Sequence, residues 1–463
     1  MKQRARVSKR RTITAFLSVS AVAALTACGA STAASGNGGN GNGSFAGQTL
    51  TMLDKAPAGA ADKPTEEYYS DLATLFHKET GATLQWQYYN TPAQEVSTVE
   101  TAAVSGNGPD VVAYGNQFVG TLMATGQFPY ITQGEWAELG GRSSFIQSNL
   151  ADSGNSATQD IGVPSETNPF VLAYNTSDFK KAGITSPPTT WSQLVADAQK
   201  IQKAIPGVYG VGIDPQDDYD VWKSVYYLDR QLGGANWVGS DGKTINLNTP
   251  QMQQAVSFYF SLDYRFHVVP PQSLTWNAGD MDSAFTSGKT AMMIIAAYQP
   301  SLADGTPLQG KLGYALLPTV PYGDTSMPPG GVPIESETTG EHWAIPGYAS
   351  SKRALALKFE ALSLTSQVQL DQFKLLGWIP VNQAGIKAVE AYTKQADPFI
   401  KAAIDAYPAP NQPVWNYIES GSLTALHNIA SNLATSNGQW NQASANSQLS
   451  QLQAAVAAKS QGS

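Results

Sequence analysis

Apolar positions along the chain alternate between two periods. Leu50 and Met52 stand two apart and predict a short strand, whereas Tyr69, Leu72 and Phe76 stand three and four apart and predict a helix. Thr65 marks the start of that helix, Glu66 and Glu67 favour its first turn, and Gly81 suits a left-handed end. Leu84, Trp86 and Tyr88 alternate again as a strand. A helical stretch from Glu95 to Val104 then runs to a Gly-Asn-Gly-Pro turn at 106–109, and a short apolar strand follows at Val111 to Ala113. The order is βαβαβ, which predicts an α/β lobe with a mainly parallel sheet. Ligands of such sheets lie beyond the carboxyl ends of the strands, so Tyr114 to Gln117 is a candidate site loop. Farther on, Ala291 to Ile295 reads as a buried strand. The preceding Gly288-Lys289-Thr290 is no phosphate loop, because the glycine required five residues earlier is Ser283.

Composition narrows the class of ligand. Only 14% of the 463 residues are charged while Gly alone numbers 42, so the polar surface consists largely of uncharged hydrogen-bonding groups suited to neutral polar ligands. The first 27 residues hold six bases (Lys2, Arg4, Arg6, Lys9, Arg10, Arg11) and no acid; the rest of the chain is therefore at −14, against −8 for the whole. No basic stripe follows, which argues against a nucleic-acid groove. The apolar run from Ile13 to Ala27 is too short to span a membrane and reads as a signal peptide. Cys28 is the single cysteine, which excludes an intramolecular disulfide and a multi-cysteine zinc site. Residues 28–46 read as a flexible Gly/Ser/Asn tether.

Leu25-Thr-Ala-Cys28-Gly29 resembles the lipobox of bacterial lipoproteins, which implies removal of residues 1–27 and lipidation of Cys28, with the folded part hung from the outer face of the cytoplasmic membrane. A second resemblance extends along residues 48–435. Gly106-Asn-Gly-Pro-Asp-Val-Val-Ala-Tyr-Gly-Asn-Gln117, Ala124-Thr-Gly126 and Pro129-Tyr-Ile131 are similar to the corresponding stretch of family 1 extracellular solute-binding proteins of ABC sugar importers. The similarity continues in order through Gly162-Val-Pro164, Phe170-Val-Leu-Ala-Tyr-Asn175, Pro187-Pro-Thr-Thr-Trp191, Asn248-Thr-Pro250, Ala284-Phe-Thr-Ser-Gly-Lys-Thr-Ala-Met-Met293, Ala344-Ile-Pro346 and Gly377-Trp-Ile-Pro380. It implies a two-lobed periplasmic-binding-protein-like fold of type II, each lobe a mainly parallel sheet flanked by helices. The expected lobes are residues 47–165 with 297–345, and 166–296 with 346–463.

Sugar recognition needs rings that stack on the apolar face of a pyranose and planar polar groups that pair its hydroxyls. The resemblance points to Tyr114 and Gln117 as sugar contacts, with Asn116 beside them. Asp217 and Tyr219, in Asp214-Pro-Gln-Asp217-Asp218-Tyr219-Asp220-Val-Trp222, form a candidate acceptor and stacking pair; a solvated acidic loop is the alternative. Tyr298 follows the Ala-Met strand and is the leading stacking candidate. Trp276 and Trp343 are each read as either cleft rings or buried rings, Trp378 and Trp415 lie where C-terminal aromatics of the family close the site, and Gly330-Gly331 reads as a turn whose bare backbone approaches ligand. Residues 332–341 depart from the family pattern.

The reading is a lipid-anchored binding protein of an ABC importer that closes about a hinge on a mono- or oligosaccharide and delivers it to a membrane permease. It carries no cofactor or metal, binds no nucleic acid and acts as a monomer. A glycoside hydrolase is the main rival, since acids are plentiful, although neither a Gly-x-Ser-x-Gly elbow nor a His-Glu-x-x-His helix occurs. A surface carbohydrate-binding scaffold without transport is the other.

Overall fold

The first helix starts before the threonine that was expected to cap it. In the computed structural model, which describes residues 45–57, 62–296 and 298–461, the helix spans Lys63–Thr80, and the Asp62 carboxylate accepts the Thr65 amide at 3.4 Å. Pro64 tolerates the first turn because its missing N–H has no partner there anyway. Gly81 ends the helix at φ 74° and donates to His77 O, while Tyr69, Leu72 and Phe76 are buried as their spacing predicts. The next helix, Pro92–Ser105, likewise begins ahead of Glu95, because Thr91 caps it by accepting the Gln94 amide at 3.2 Å. The predicted leader, Cys28 and most of the tether lie outside the described residues.

Among the described residues eight strands order the chain: β1 Thr49–Lys55, β2 Thr83–Tyr89, β3 Val111–Gly115, β4 Gly162–Pro164, β5 Val171–Asn175, β6 Met292–Ile295, β7 Leu312–Ala315 and β8 Glu341–Ala344. They form two sheets, β2-β1-β3-β8-β4 and β6-β5-β7. In the first, β1 runs parallel to β2 and β3, and β8 runs against both β3 and β4. β2 is an edge strand, which explains why its alternation fails at the far end: Leu84 is buried, Trp86 half-buried and Tyr88 41% exposed, whereas Tyr89 turns inward.

The second sheet departs from the mainly parallel expectation, since β6 and β7 both run against β5. A parallel run alongside β6 survives without becoming a strand: Tyr209 N donates to Lys289 O, Ala291 N to Tyr209 O and Gly212 N to Met292 O. Gly210 lies so close to Ala198 that a Cβ would come within 2.2 Å of it. The tight contact lets the helix Trp191–Ala204 pack directly on this glycine-rich backbone.

Two expected lobe boundaries are corrected. β7 pairs with β5, so residues near 312–315 belong to the second sheet and not to the first. Conversely, the helices Arg353–Ser363 and Ser366–Leu376 pack on Lys63–Thr80 and share the apolar core under the first sheet, so the chain stays there well past residue 345. The C-terminal helices Trp415–Thr435 and Gln442–Ser460 then pack on each other and on Val221–Gln231 and Pro250–Tyr264. The chain therefore crosses between the sheets near residues 165–170, 316–340 and 377–380. These crossings are bonded side by side: Thr167 and Ile379 exchange both amide bonds, Thr167 Oγ1 donates to Thr339 O at 3.0 Å, and Phe170 N donates to Ser336 Oγ at 3.0 Å.

Candidate functional site

The carboxyl ends of β1, β2 and β3 point at the crossings, and polar side chains gather there. Asp54 and Lys55 end β1, Tyr89 ends β2, Gly115 ends β3, and Glu341 opens the antiparallel β8 at the same edge. Tyr89 Oη donates to Glu341 Oε1 at 2.7 Å. The Glu341 amide donates to Glu166 Oε1 at 3.0 Å, and Asn168 Nδ2 donates to Glu166 Oε2 at 2.7 Å. Glu95 accepts the Gly115 amide at 3.2 Å, and Asp54 accepts the Lys55 amide at 2.7 Å.

Burial is the largest influence on these acids. It raises Asp54, Glu95 and Glu166 well above the usual carboxylate range, and the neighbouring Glu341 raises each of them further. From the second lobe comes Lys223, whose Nζ lies 3.0 Å from both Asp220 and Glu337. Burial alone would depress this ammonium, but the two carboxylates hold it well above its ordinary value. Glu337 itself is pushed up to about 7 by burial despite Lys223, and burial also raises Glu419.

A cavity of about 530 Å³ opens beside this polar floor. Lys55, Tyr69, Tyr298, Gln299, Leu302 and Trp378 are among its lining, so it takes residues from the end of β1, the first helix and the segments flanking β6 and the third crossing. The volume suits a ligand of one or two sugar rings. Lys55 and Tyr69 join cavity and floor, because the Tyr69 hydroxyl donates to Lys55 O at 2.9 Å. Lys55 Nζ also lies 4.6 Å from the ring centroid of Tyr219, so the first sheet meets the Asp217–Asp220 loop directly.

The sequence candidates separate into two groups. Tyr219, 39% exposed, faces Lys55; the half-buried Trp378 lines the cavity, and Tyr298 borders it while only 6% exposed, its ring packed in the core 4.9 Å from Phe373 and its hydroxyl donating to Gln395 Oε1 at 3.0 Å. The others serve the fold. Tyr114 is 1% exposed, stacked 5.3 Å from His342, and donates to Asp152 O, so it offers no platform. Asn116 donates to Thr338 O at 2.7 Å and so ties β3 to the second crossing; the Gln117 amide folds back against Gly115. Asp217 accepts the amides of Tyr219 and Asp220, which makes it the staple of its own turn.

Trp276 packs with Met281 and Phe285 and has Lys289 over its ring. Gly331 does approach backbone closely, but that backbone is Gln231 and Pro328, and a Cβ on Gly330 would meet nothing nearer than 3.9 Å. Trp343 points from β8 into the core against Phe359, 5.0 Å away. Trp415 is 0% exposed among Trp222, Tyr226 and Trp237, with Nε1 donating to Glu419 at 2.6 Å. Asp54, Lys55, Glu95, Glu166, Lys223, Glu337 and Glu341 escaped the sequence reading. The rule that places ligands at strand ends would have found Asp54 and Lys55 had it been applied to β1 as well as to β3.

The two groups respond differently to truncation. Trp343→Ala is expected to cost about 3–5 kcal/mol of unfolding free energy, as a large core ring does. Tyr219→Ala should cost no more than about 1 kcal/mol, the worth of its contact with Lys55. Denaturant unfolding alongside calorimetry checks both; a large stability loss in Tyr219→Ala would contradict the division.

Among the described residues no group of three or more His, Cys, Asp or Glu is placed to hold a metal ion. The chain is 26% identical over 405 residues to a protein of Brucella abortus (strain 2308) named only as a binding protein, covering 82% of this chain and 90% of that one. It is 30% identical over 177 residues to a Deinococcus radiodurans protein named as an ABC transporter-binding protein, covering 37% of this chain and 41% of the other. The maltose-bound MalE3 of T. maritima has the same fold, with a TM-score of 0.70 at 19% identity over 87% of this chain and 98% of its own. Residues 55–369 match the description "Bacterial extracellular solute-binding protein". That match excludes the hydrolase alternative, because this is a family of binders and not of enzymes: the chain belongs to the bacterial extracellular solute-binding proteins.

Proposed function

We propose that the protein is the receptor of an ABC importer for a sugar, held at the outer face of the bacterial cytoplasmic membrane by lipid on Cys28. The observation that carries this reading is the cavity of about 530 Å³ between strand ends and crossings, with Tyr298 and Trp378 as ring surfaces and Lys55, Tyr69 and Gln299 as polar partners. Sugar and importer are also what the names of the T. maritima and Deinococcus proteins suggest. Three bonded crossings make a natural hinge: ligand touching both sheets favours the closed arrangement because only there are all contacts made. The closed protein, a monomer, then docks on a permease. The lipobox residues Leu25 to Gly29 support the anchor, and globomycin-sensitive maturation of the full chain with loss of label in Cys28→Ser would test it.

The ligand claim is tested by thermal shift against sugars, sugar amines and polyols, because a ligand of the folded state raises the melting temperature by mass action. A hit at micromolar concentration, weakened at least tenfold in Tyr298→Ala, is the expected outcome. A protein that binds polymeric glycan on its surface yet no small sugar would instead be the non-transporting scaffold.

A further inference from the structure

A second cavity, of about 390 Å³, shares no residue with the one at Trp378. Its walls come from the helices Val221–Gln231, Pro250–Tyr264 and Gln442–Ser460 and from Pro321 and Tyr322 of the second crossing, all packed about the core of the second lobe. No acid lines it, and its one charged residue is Arg265. Among the described residues this exposed guanidinium has no carboxylate within ion-pair distance. It lies instead over two rings, 4.9 Å from the centroid of Phe266 and 5.7 Å from that of Tyr322. Stacking of this kind occupies the flat face of a guanidinium and leaves the N–H donors at its edge available to an anion. Tyr322 is itself stacked on Phe258 at 5.4 Å, which gives the cavity an apolar wall. Polar lining comes from Gln254 and from the Ser257 and Tyr264 hydroxyls, 3.0 Å apart.

We propose that this cavity is a second binding site, for a sugar acid: a hexuronate, free or at the end of a glycan, whose carboxylate pairs with Arg265 while its ring rests on Phe258 and Tyr322. The volume suits a single ring. The parallel donors of a guanidinium match the two oxygens of a carboxylate, and such charge-assisted bonds are the stronger kind. A neutral sugar makes no use of the charge, whereas a phosphate ester brings nearly two negative charges to one base. Because the walls belong to one lobe, the site keeps its shape whether the lobes are open or closed. A ligand with equal affinity for both forms shifts neither, so this site holds an acidic saccharide without signalling for transport, whatever the first cavity carries.

The experiment compares glucuronate and galacturonate with glucose and galactose by calorimetry at low salt, on the full protein and on its Trp378→Ala and Arg265→Gln variants. The uronates are expected to bind at least tenfold tighter than the matched neutral sugars. That preference should survive Trp378→Ala and disappear in Arg265→Gln, and raising the salt should weaken it. Unchanged melting temperatures of the free variants verify that they fold, as expected for a substitution at the exposed Arg265. Tyr322→Leu, which keeps apolar bulk but removes the ring, should weaken the uronates severalfold. Absence of uronate binding, or uronates bound no tighter than neutral sugars, overturns the site and leaves the sugar receptor standing. Uronate binding that is lost in Trp378→Ala yet kept in Arg265→Gln also overturns it, because the acid then enters the first cavity. Glucose 6-phosphate bound more tightly than glucuronate, and through Arg265, overturns the choice of a carboxylate.

Discussion

Lys223→Met is expected to cost about 3–5 kcal/mol at pH 8, because it leaves Glu337, 0% exposed in its side chain, and Asp220 without the ammonium that lies 3.0 Å from each. The loss depends on pH with a definite sign. Glu337 is raised to about 7 in the folded protein from an ordinary 4.5, so the folded state holds its proton more tightly than the unfolded chain does. The stability contributed by that proton is complete below about 4.5 and disappears as pH climbs through 7. Without Lys223 the carboxyl becomes still harder to ionise, so the variant's deficit should be modest at pH 5, where Glu337 keeps its proton in either protein, and grow toward pH 8. Adding Glu337→Gln should restore more than half of the loss. Urea unfolding at the two pH values checks this. A deficit equal at pH 5 and 8, or no rescue, would mean that Lys223 acts through packing of its stem rather than through charge.

Gly340→Ala is expected to be about as damaging, for a backbone reason. Gly340 has φ 100°, and a Cβ there would lie 2.1 Å from Glu166 O, so the alanine is both conformationally strained and driven into the first crossing. About 3–5 kcal/mol should be lost, combining the two terms. Gly330→Ala is the control: φ is 79°, yet no atom comes nearer its Cβ than 3.9 Å, so only the left-handed penalty of about 1–2 kcal/mol applies. Because Gly340 lies between Thr339, which accepts from Thr167 and Asn149, and Glu341, which donates to Glu166, the alanine should also disturb the floor and weaken ligand binding. Equal stability losses in the two variants would show that the close approach to Glu166 is not what fixes this residue as glycine.

How much of this was legible beforehand depends on whether the information was local. The first helix, its glycine stop and the β1–β3 order followed from periodicity and turn chemistry, which act over a few residues. The allocation of β7 and of the helices after residue 352 did not, since pairing of Leu172 with Ala315 and packing of Arg353–Ser363 on Lys63–Thr80 are long-range choices with no local mark. The rings show the same limit. Tyr298, Trp343 and Trp415 are alike in type, and only the tertiary position decides that Tyr298, packed in a core at 6% exposure, also borders a cavity while Trp343 and Trp415 lie wholly within cores. Charged floor residues were missed because sequence reading associates buried acids with surface loops: Glu166 and Glu337 become conspicuous only when two crossings more than 160 residues apart are laid side by side.

The contact of Lys55 with Tyr219 reaches from the first sheet to a loop of the second lobe and behaves as a light clasp. A cation over a partly exposed ring contributes about 0.5–1 kcal/mol, which biases an equilibrium only by a factor of a few. On the hinge-closing function proposed above, a fastening this weak would leave the empty protein free to open, so that an arriving ligand need not wait for a rare event. Its apparent affinity is then reduced little by the scarcity of a competent form. A stronger fastening, such as Tyr219 replaced by a carboxylate, would exchange that readiness for a protein that stays shut when it has nothing to carry.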